Sequence, residues 1–225
     1  EPIATQERTL ELDVVRGAAL FGVLMVNLLT EFRVDLFETF LAGPPGSSLD
    51  RALERASALA LEWKSFMLFA MLFGAGLEAQ LQSRGAGFFR YVVRRQAALL
   101  AIGLAHLVFL WSGDILALYA IVGAVGALLV GRPTWLLLAI GLALCTYNSF
   151  AGFPPPFPSA EAMQRYVDEA RVVYAHASYG TLLAFRVRTL APFLTLLAWT
   201  APRTLGCFLL GACAWRVGLL QRARE

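Results

Sequence analysis

What constrains this chain most is a series of long, mostly uncharged apolar runs separated by polar segments, some of them very short turns. A helix crossing the hydrocarbon of a bilayer needs about 20 mostly apolar residues, because no water is there to satisfy an open backbone. Six runs meet or approach that length, over 14–30, 56–77, 96–111, 115–131, 134–153 and 189–219. Composition agrees: 58% of the 225 residues are hydrophobic and 16% charged, at a mean hydropathy of +0.63. A soluble domain keeps about a quarter of its residues charged. The expected fold is therefore all-α, a polytopic membrane bundle of about six spans with the lipid bilayer as its solvent.

The turns order the runs. Ser112-Gly113-Asp114 joins the third to the fourth and Arg132-Pro133 the fourth to the fifth, links so short that these three helices are expected to be antiparallel neighbours. Pro202-Arg203 interrupts the sixth run, which predicts either a kinked span or a surface helix followed by a shorter one. Basic residues accumulate in cytoplasmic loops. Placing the link with Arg84, Arg90, Arg94 and Arg95 inside also places Arg8, Arg16, Arg132, Arg216, Arg222 and Arg224 there, ten against seven on the opposite face. The expected topology is N-in, C-in. No charged-then-apolar segment ends in a cleavage site, so no signal peptide is expected, and a chain starting at Glu1 reads as trimmed or partial.

Residues 154–188 form an outer loop with its own pattern inside what is otherwise a single transmembrane domain, 1–225. Ser159 can cap a helix in which Met163, Tyr166, Val167, Ala170, Val173 and Tyr174 share one face and Glu161 and Arg165 form an i,i+4 pair. That is an amphipathic helix, lying on the outer surface of the bilayer or packed on the spans.

Several function classes drop out. Net charge is +3, from 19 basic residues (all arginine but Lys64) against 16 acids, too small an excess for nucleic acid. Cys145, Cys207 and Cys213 lie in apolar stretches without ligand spacing, and His106 and His176 are the only histidines, so neither a disulfide framework nor a metal site is expected. No GxSxG, P-loop, HExxH or helix-opening GxGxxG occurs.

Polar groups inside a span are costly and usually face a bundle interior or a wet cavity. Arg16 and Asn27 are eleven residues apart on the first helix, which returns nearly to the same face, and Asp13 joins their stripe. Arg95 and His106 repeat that spacing on the third, giving each helix an inner arginine and an outer polar group roughly 16 Å away. His106 and Tyr119 can meet across the hairpin, with Asp114 placed to orient the imidazole and Glu62, Lys64 and Asn27 at similar depth. The candidate catalytic residues are His106, Asp114 and Tyr119; the candidate substrate- or cofactor-binding residues are Asp13, Arg16, Asn27, Lys64, Arg94 and Arg95. The plainer alternatives are that His106 satisfies a neighbouring helix, that Asp114 only caps the fourth helix, and that Arg90, Arg94 and Arg95 serve topology and anionic lipid. The pairs Ala18/Gly22, Ala70/Gly74 and Gly123/Ala127 are spaced for close helix packing.

An ordered set of motifs carries a resemblance. Leu12-Asp13-Val14-Val15-Arg16-Gly17, Val26-Asn27 and Leu72-Phe73-Gly74-Ala75-Gly76 are followed by Arg94-Arg95, Gly103-Leu104-Ala105-His106, Trp111-Ser112-Gly113-Asp114-Ile115-Leu116 and Tyr119-Ala120. Over 8–218 the chain resembles the YeiB family of bacterial inner-membrane proteins, whose C-terminal half is a domain of unknown function. The resemblance is weakest over 146–191. It implies a multi-pass protein of the bacterial inner membrane, grouped with transmembrane acyltransferases such as the lysosomal heparan glucosaminide acetyltransferase and sugar O-acetylating enzymes. Those take an acyl group from cytosolic acyl-CoA to an acceptor across the membrane. There the catalytic histidine follows the first span closely, whereas 28–61 contains none here, so His106 would serve from another helix. Family members are usually longer, so the chain reads as the N-terminal part of their architecture.

Three readings follow. In a membrane acyltransferase, acyl-CoA is the donor substrate, Arg16 and Arg95 hold its phosphates, and His106 with Asp114 moves the proton. In a transporter of a small or lipid-linked substrate, Asp13, Arg16 and Asn27 line the pathway. In a non-catalytic membrane subunit the polar residues hold helices together, and the partner is a second membrane subunit or another copy of the chain.

Overall fold

The computed structural model describes residues 10–31, 36–41, 47, 49, 63–111, 113–150 and 157–219. Among these there is no strand. Helix α1 runs over Leu10–Glu31 and a short 3₁₀ turn over Leu36–Phe40. α2 (Trp63–Arg84) is followed by a 3₁₀ turn, Gly85–Gly87, where Gly85 takes φ +50°, a left-handed conformation that glycine adopts without a Cβ clash. α3 (Phe88–Ala105) ends in a π-turn, His106–Leu110. α4 (Leu116–Leu129), α5 (Thr134–Phe150), α6 (Ala160–His176), α7 (Tyr179–Arg188) and α8 (Leu190–Arg216) complete the order.

Lys64–Leu110 and Leu190–Arg216 are the two helical stretches, among the described residues, long and apolar enough to cross a membrane. The apolar helices Gly17–Leu28, Leu116–Leu129 and Thr134–Tyr147 are shorter. Large apolar side chains point outward from several of them, including Phe21, Leu24, Ile102, Leu128, Trp135 and Leu142.

α8 is the centre of the bundle. It packs against α2, α5 and α4, and α1 packs on α2. α5 therefore lies on α8 and is not the neighbour of α4 that the short Arg132-Pro133 link suggests. The reason is local: Gly206 and Gly211 remove side chains from α8 where other backbones approach. A Cβ on Gly211 would stand 1.8 Å from the carbonyl oxygen of Met71, and one on Gly206 would stand 2.7 Å from that of Gly141. On α2, Gly74 admits the Phe208 backbone in the same way. The helices interlock at these points and bury Leu77, Phe88, Leu118, Phe208 and Leu209 in one core.

The sixth run is one continuous helix across Pro202, so of the two arrangements expected from the sequence the surface helix followed by a shorter one does not form, and the single span is the one the structure keeps. Proline removes one backbone donor and leaves the Ala198 carbonyl without its usual partner, a loss that packing on three neighbours offsets. α6 begins where expected, with Ser159 Oγ accepting the Ala162 N–H at 3.3 Å. Its apolar face covers Phe37 and Phe193 through Met163 and Val167, so the helix packs on protein. Glu161 and Arg165 do not pair. Arg171 instead reaches Glu38 at 2.9 Å and Arg188 pairs with Glu169.

Candidate functional site

Polar groups gather at the two ends of the bundle. At one end, α3 stops in the π-turn, in which the Trp111 N–H reaches five residues back to the His106 carbonyl at 2.9 Å. His106 opens this wider turn and Asp114 follows on the link to α4. Their approach is close, with His106 Nδ1 3.2 Å from Asp114 Oδ1, the imidazole one-third exposed and the carboxylate 1% exposed. Asp114 Oδ2 accepts the Ala117 N–H at 2.8 Å and so caps α4. Neither Nδ1 nor Oδ1 makes a well-directed hydrogen bond, so the two groups are near but off line. A proton on Nδ1, facing the carboxylate, leaves Nε2 as an acceptor.

The π-turn is held from outside the hairpin. The last carbonyls of a helix have no partner within it, and that of Phe109 accepts from Arg186 Nη1 at 2.9 Å and from the Tyr179 hydroxyl at 3.0 Å. Arg186 is 8% exposed and also donates to the Tyr174 hydroxyl. A cation at a helix C-terminus is favourable as well. Arg186 is thus a buried clamp from α7 on the turn that carries His106; in the sequence it is one of the basic residues of the outer loop 154–188, with nothing local to mark it.

Tyr119 is buried in an aromatic cluster with Phe69, Phe73 and Phe208. Its hydroxyl donates to the Phe66 carbonyl at 3.3 Å. Asn27 is half-buried near the end of α1, and Lys64 is exposed at the start of α2. Gly22 packs on Ser65, which brings these two ends together. Asp13 and Arg16 lie on α1 beside Val15, which packs near Trp215 at the opposite end; their side chains, and Glu62, lie outside the described residues.

That opposite end holds the arginines. Arg84, Arg90, Arg94, Arg95 and Tyr91 line an open cavity of ≈ 660 Å³. The Arg95 guanidinium lies 4.5 Å over the Phe73 ring and that of Arg84 3.7 Å over Tyr91. Arg95 Nη1 is buried without a partner, and so are both amide atoms of Gln96, 4% exposed beside Gly123. Close by, Arg216 binds Glu78 at 2.9 Å, with that carboxylate 3% exposed, and bonds the Arg132 carbonyl at 2.6 Å and that of Val130. Glu78 is fully paired where the sequence showed only a lone acid one residue past an apolar run. Its place inside α2 was the available signal.

Among the described residues no group of three His, Cys, Asp or Glu side chains could hold a metal ion. Cys145 and Cys207 lie 3.9 Å apart as free thiols.

Known proteins give a partial likeness. Over 134 residues the chain is 37% identical to the uncharacterised protein YxaH of Bacillus subtilis (strain 168), covering 56% of this chain and 33% of that protein. Over 121 residues it is 35% identical to the uncharacterised protein YeiB of Escherichia coli (strain K12), covering 53% and 30%. An uncharacterised 39.9 kDa protein in the amylase 3′ region of Bacillus acidopullulyticus is 32% identical over 126 residues, covering 55% and 34%. The chain spans about a third of the length of the curated relatives it matches. No protein-family profile matches the chain, and no solved structure does.

Proposed function

We propose that the chain is part of a multi-pass protein of the bacterial inner membrane that transfers an acyl group from cytosolic acyl-CoA to an acceptor on the outer side. The observation that carries the reading is the approach of His106 Nδ1 to a buried carboxylate at 3.2 Å; with the proton on Nδ1, Nε2 is the acceptor. A base whose ring is oriented by an acid is what acyl transfer to a hydroxyl or amine needs, and such contacts are often loose before substrate binds. His106 would take the acceptor's proton while the acceptor lone pair attacks the thioester carbonyl. The C–S bond then breaks, and the departing thiolate collects the proton from the imidazolium.

The donor end of the reading rests on Arg94 and Arg95, with Arg16 and Asp13 on α1 nearby in depth. Arg95 and His106 are eleven residues apart, roughly 16 Å along α3, a gap that the long flexible arm of CoA can bridge. Lys64 and Asn27 fall at the acceptor end, while Tyr119 supports the core. The six-span, N-in and C-in arrangement belongs to the same proposal. Its support is the outward apolar surface of the helices and the gathering of Arg84–Arg95, Arg132 and Arg216 at one end.

Thermal stabilisation of the purified protein in nanodiscs tests the reading, since a ligand that binds the native state raises Tm. Acetyl-CoA or a longer acyl-CoA is expected to raise Tm in the wild type and in His106→Ala, but not in Arg16→Ala or Arg95→Ala. Turnover of the thioester should fall by about 100-fold or more in His106→Ala. No shift with any donor would reject acyl transfer.

A further inference from the structure

Arg84 and Arg90 have no part in donor binding as proposed above, yet they share a cavity with Arg94 and Arg95. The residues lining it, which add Tyr91 and Ser83, include no carboxylate. None of the four arginines forms an ion pair with a described residue; the ion pairs there belong to His106, Arg171, Arg188 and Arg216. Four like charges around one cavity repel, and an anion in it relieves that repulsion.

Basic residues at a cytosolic helix end serve topology and lipid contact as free, solvated side chains. The buried, unpartnered Nη1 of Arg95 has no use in that role. Two of the guanidinium groups are also set in place: Arg95 rests on Phe73 and Arg84 on Tyr91, so their faces are occupied and their N–H edges remain for a ligand. Arg90 and Arg94 stand one turn apart, roughly 6 Å along α3, far enough to take separate phosphate groups. The volume of ≈ 660 Å³ is that of a site for an organic ligand and far exceeds a single phosphate.

We infer that this arginine cavity binds an organic ligand carrying two phosphate groups, held by Arg90, Arg94 and Arg95 with Arg84 at its side. Two sources offer that chemistry, a cytosolic diphosphate such as CoA and a membrane lipid with two phosphates such as cardiolipin. The site shares Arg94 and Arg95 with the acyl-transfer reading but does not depend on it, because a two-phosphate ligand binds whether or not His106 reacts.

The test uses the purified protein in phosphatidylcholine nanodiscs, titrated with CoA, pyrophosphate and inorganic phosphate at fixed ionic strength. In parallel, native mass spectrometry compares retention of added cardiolipin and phosphatidylglycerol. The expected result is at least about tenfold tighter binding of CoA or pyrophosphate than of inorganic phosphate, or selective retention of cardiolipin. Arg94→Gln should weaken that binding by about tenfold or more, the loss of one charge-assisted contact, with Tm of the free protein unchanged. Arg95→Gln should weaken it too, and the exposed Arg94 keeps the test sound if Arg95→Gln folds poorly. Cardiolipin alone bound would support the cavity and remove CoA from the functional proposal. CoA bound without His106-dependent turnover would support the cavity and reject acyl transfer. No preference for two phosphates in either arm, or binding unchanged in both variants, overturns the inference.

Discussion

Asp114 uses its two oxygens for two purposes, one capping α4 and the other facing His106. The two can be separated, because asparagine caps a helix about as well as aspartate while carrying no charge. Asp114→Ala is expected to lower stability by about 1 kcal/mol through the lost cap, and Asp114→Asn by less than about 0.5 kcal/mol. If the pair works on a substrate, both variants lose turnover to a similar degree; activity that merely tracks stability would mark the residue as structural. Denaturation in detergent beside a thioester assay decides it. That His106 and Asp114 lie near each other is legible in the sequence, because a three-residue link leaves a helix end little freedom. Arg186 was beyond it, since nothing local in 179–188 says which carbonyl, seventy-seven residues earlier, its guanidinium will find.

Among the elements, α8 shows what glycine does in a tightly packed helix. A Cβ at 211 would meet the Met71 backbone, whereas one at 76, on the facing helix, would meet nothing within 4 Å. Gly211→Ala should therefore cost about 1–3 kcal/mol or more, because a backbone must move. Gly76→Ala should be neutral or stabilising by up to about 1 kcal/mol through helix propensity. Melting temperatures of the two variants, opposite in sign, check the crossing of α2 and α8. Apolar runs and turns made the helices themselves legible from sequence. Which helices touch was less so: link length put α5 beside α4, and the glycines at 206 and 211, which admit α8 instead, read as spacing without a named partner. Pro202 left two arrangements open for a related reason, as its local cost is visible in sequence and the packing that keeps the helix continuous across it is not.

For the whole molecule, the proposed topology has a direct readout. Cysteines substituted singly at Ala177, exposed between α6 and α7, and at Arg132, between α4 and α5, should be labelled from opposite sides of the membrane by an impermeant maleimide. Labelling of both from one side would reject the N-in, C-in proposal. Apolar runs made the helical class of fold plain, and the eleven-residue spacing on two helices already implied polar groups at two ends, but not that Glu78, Arg132 and Arg216 meet at one of them. The π-turn at His106–Leu110 has a consequence of another kind. Such turns hold one more residue than a regular helical turn, and therefore behave in evolution like an inserted letter. Sequences that keep the clamp from Arg186 on Phe109 should keep that letter, and descendants freed from it should show a one-residue gap there, so that the history of the site would be written in alignment length before it shows in any change of side chain.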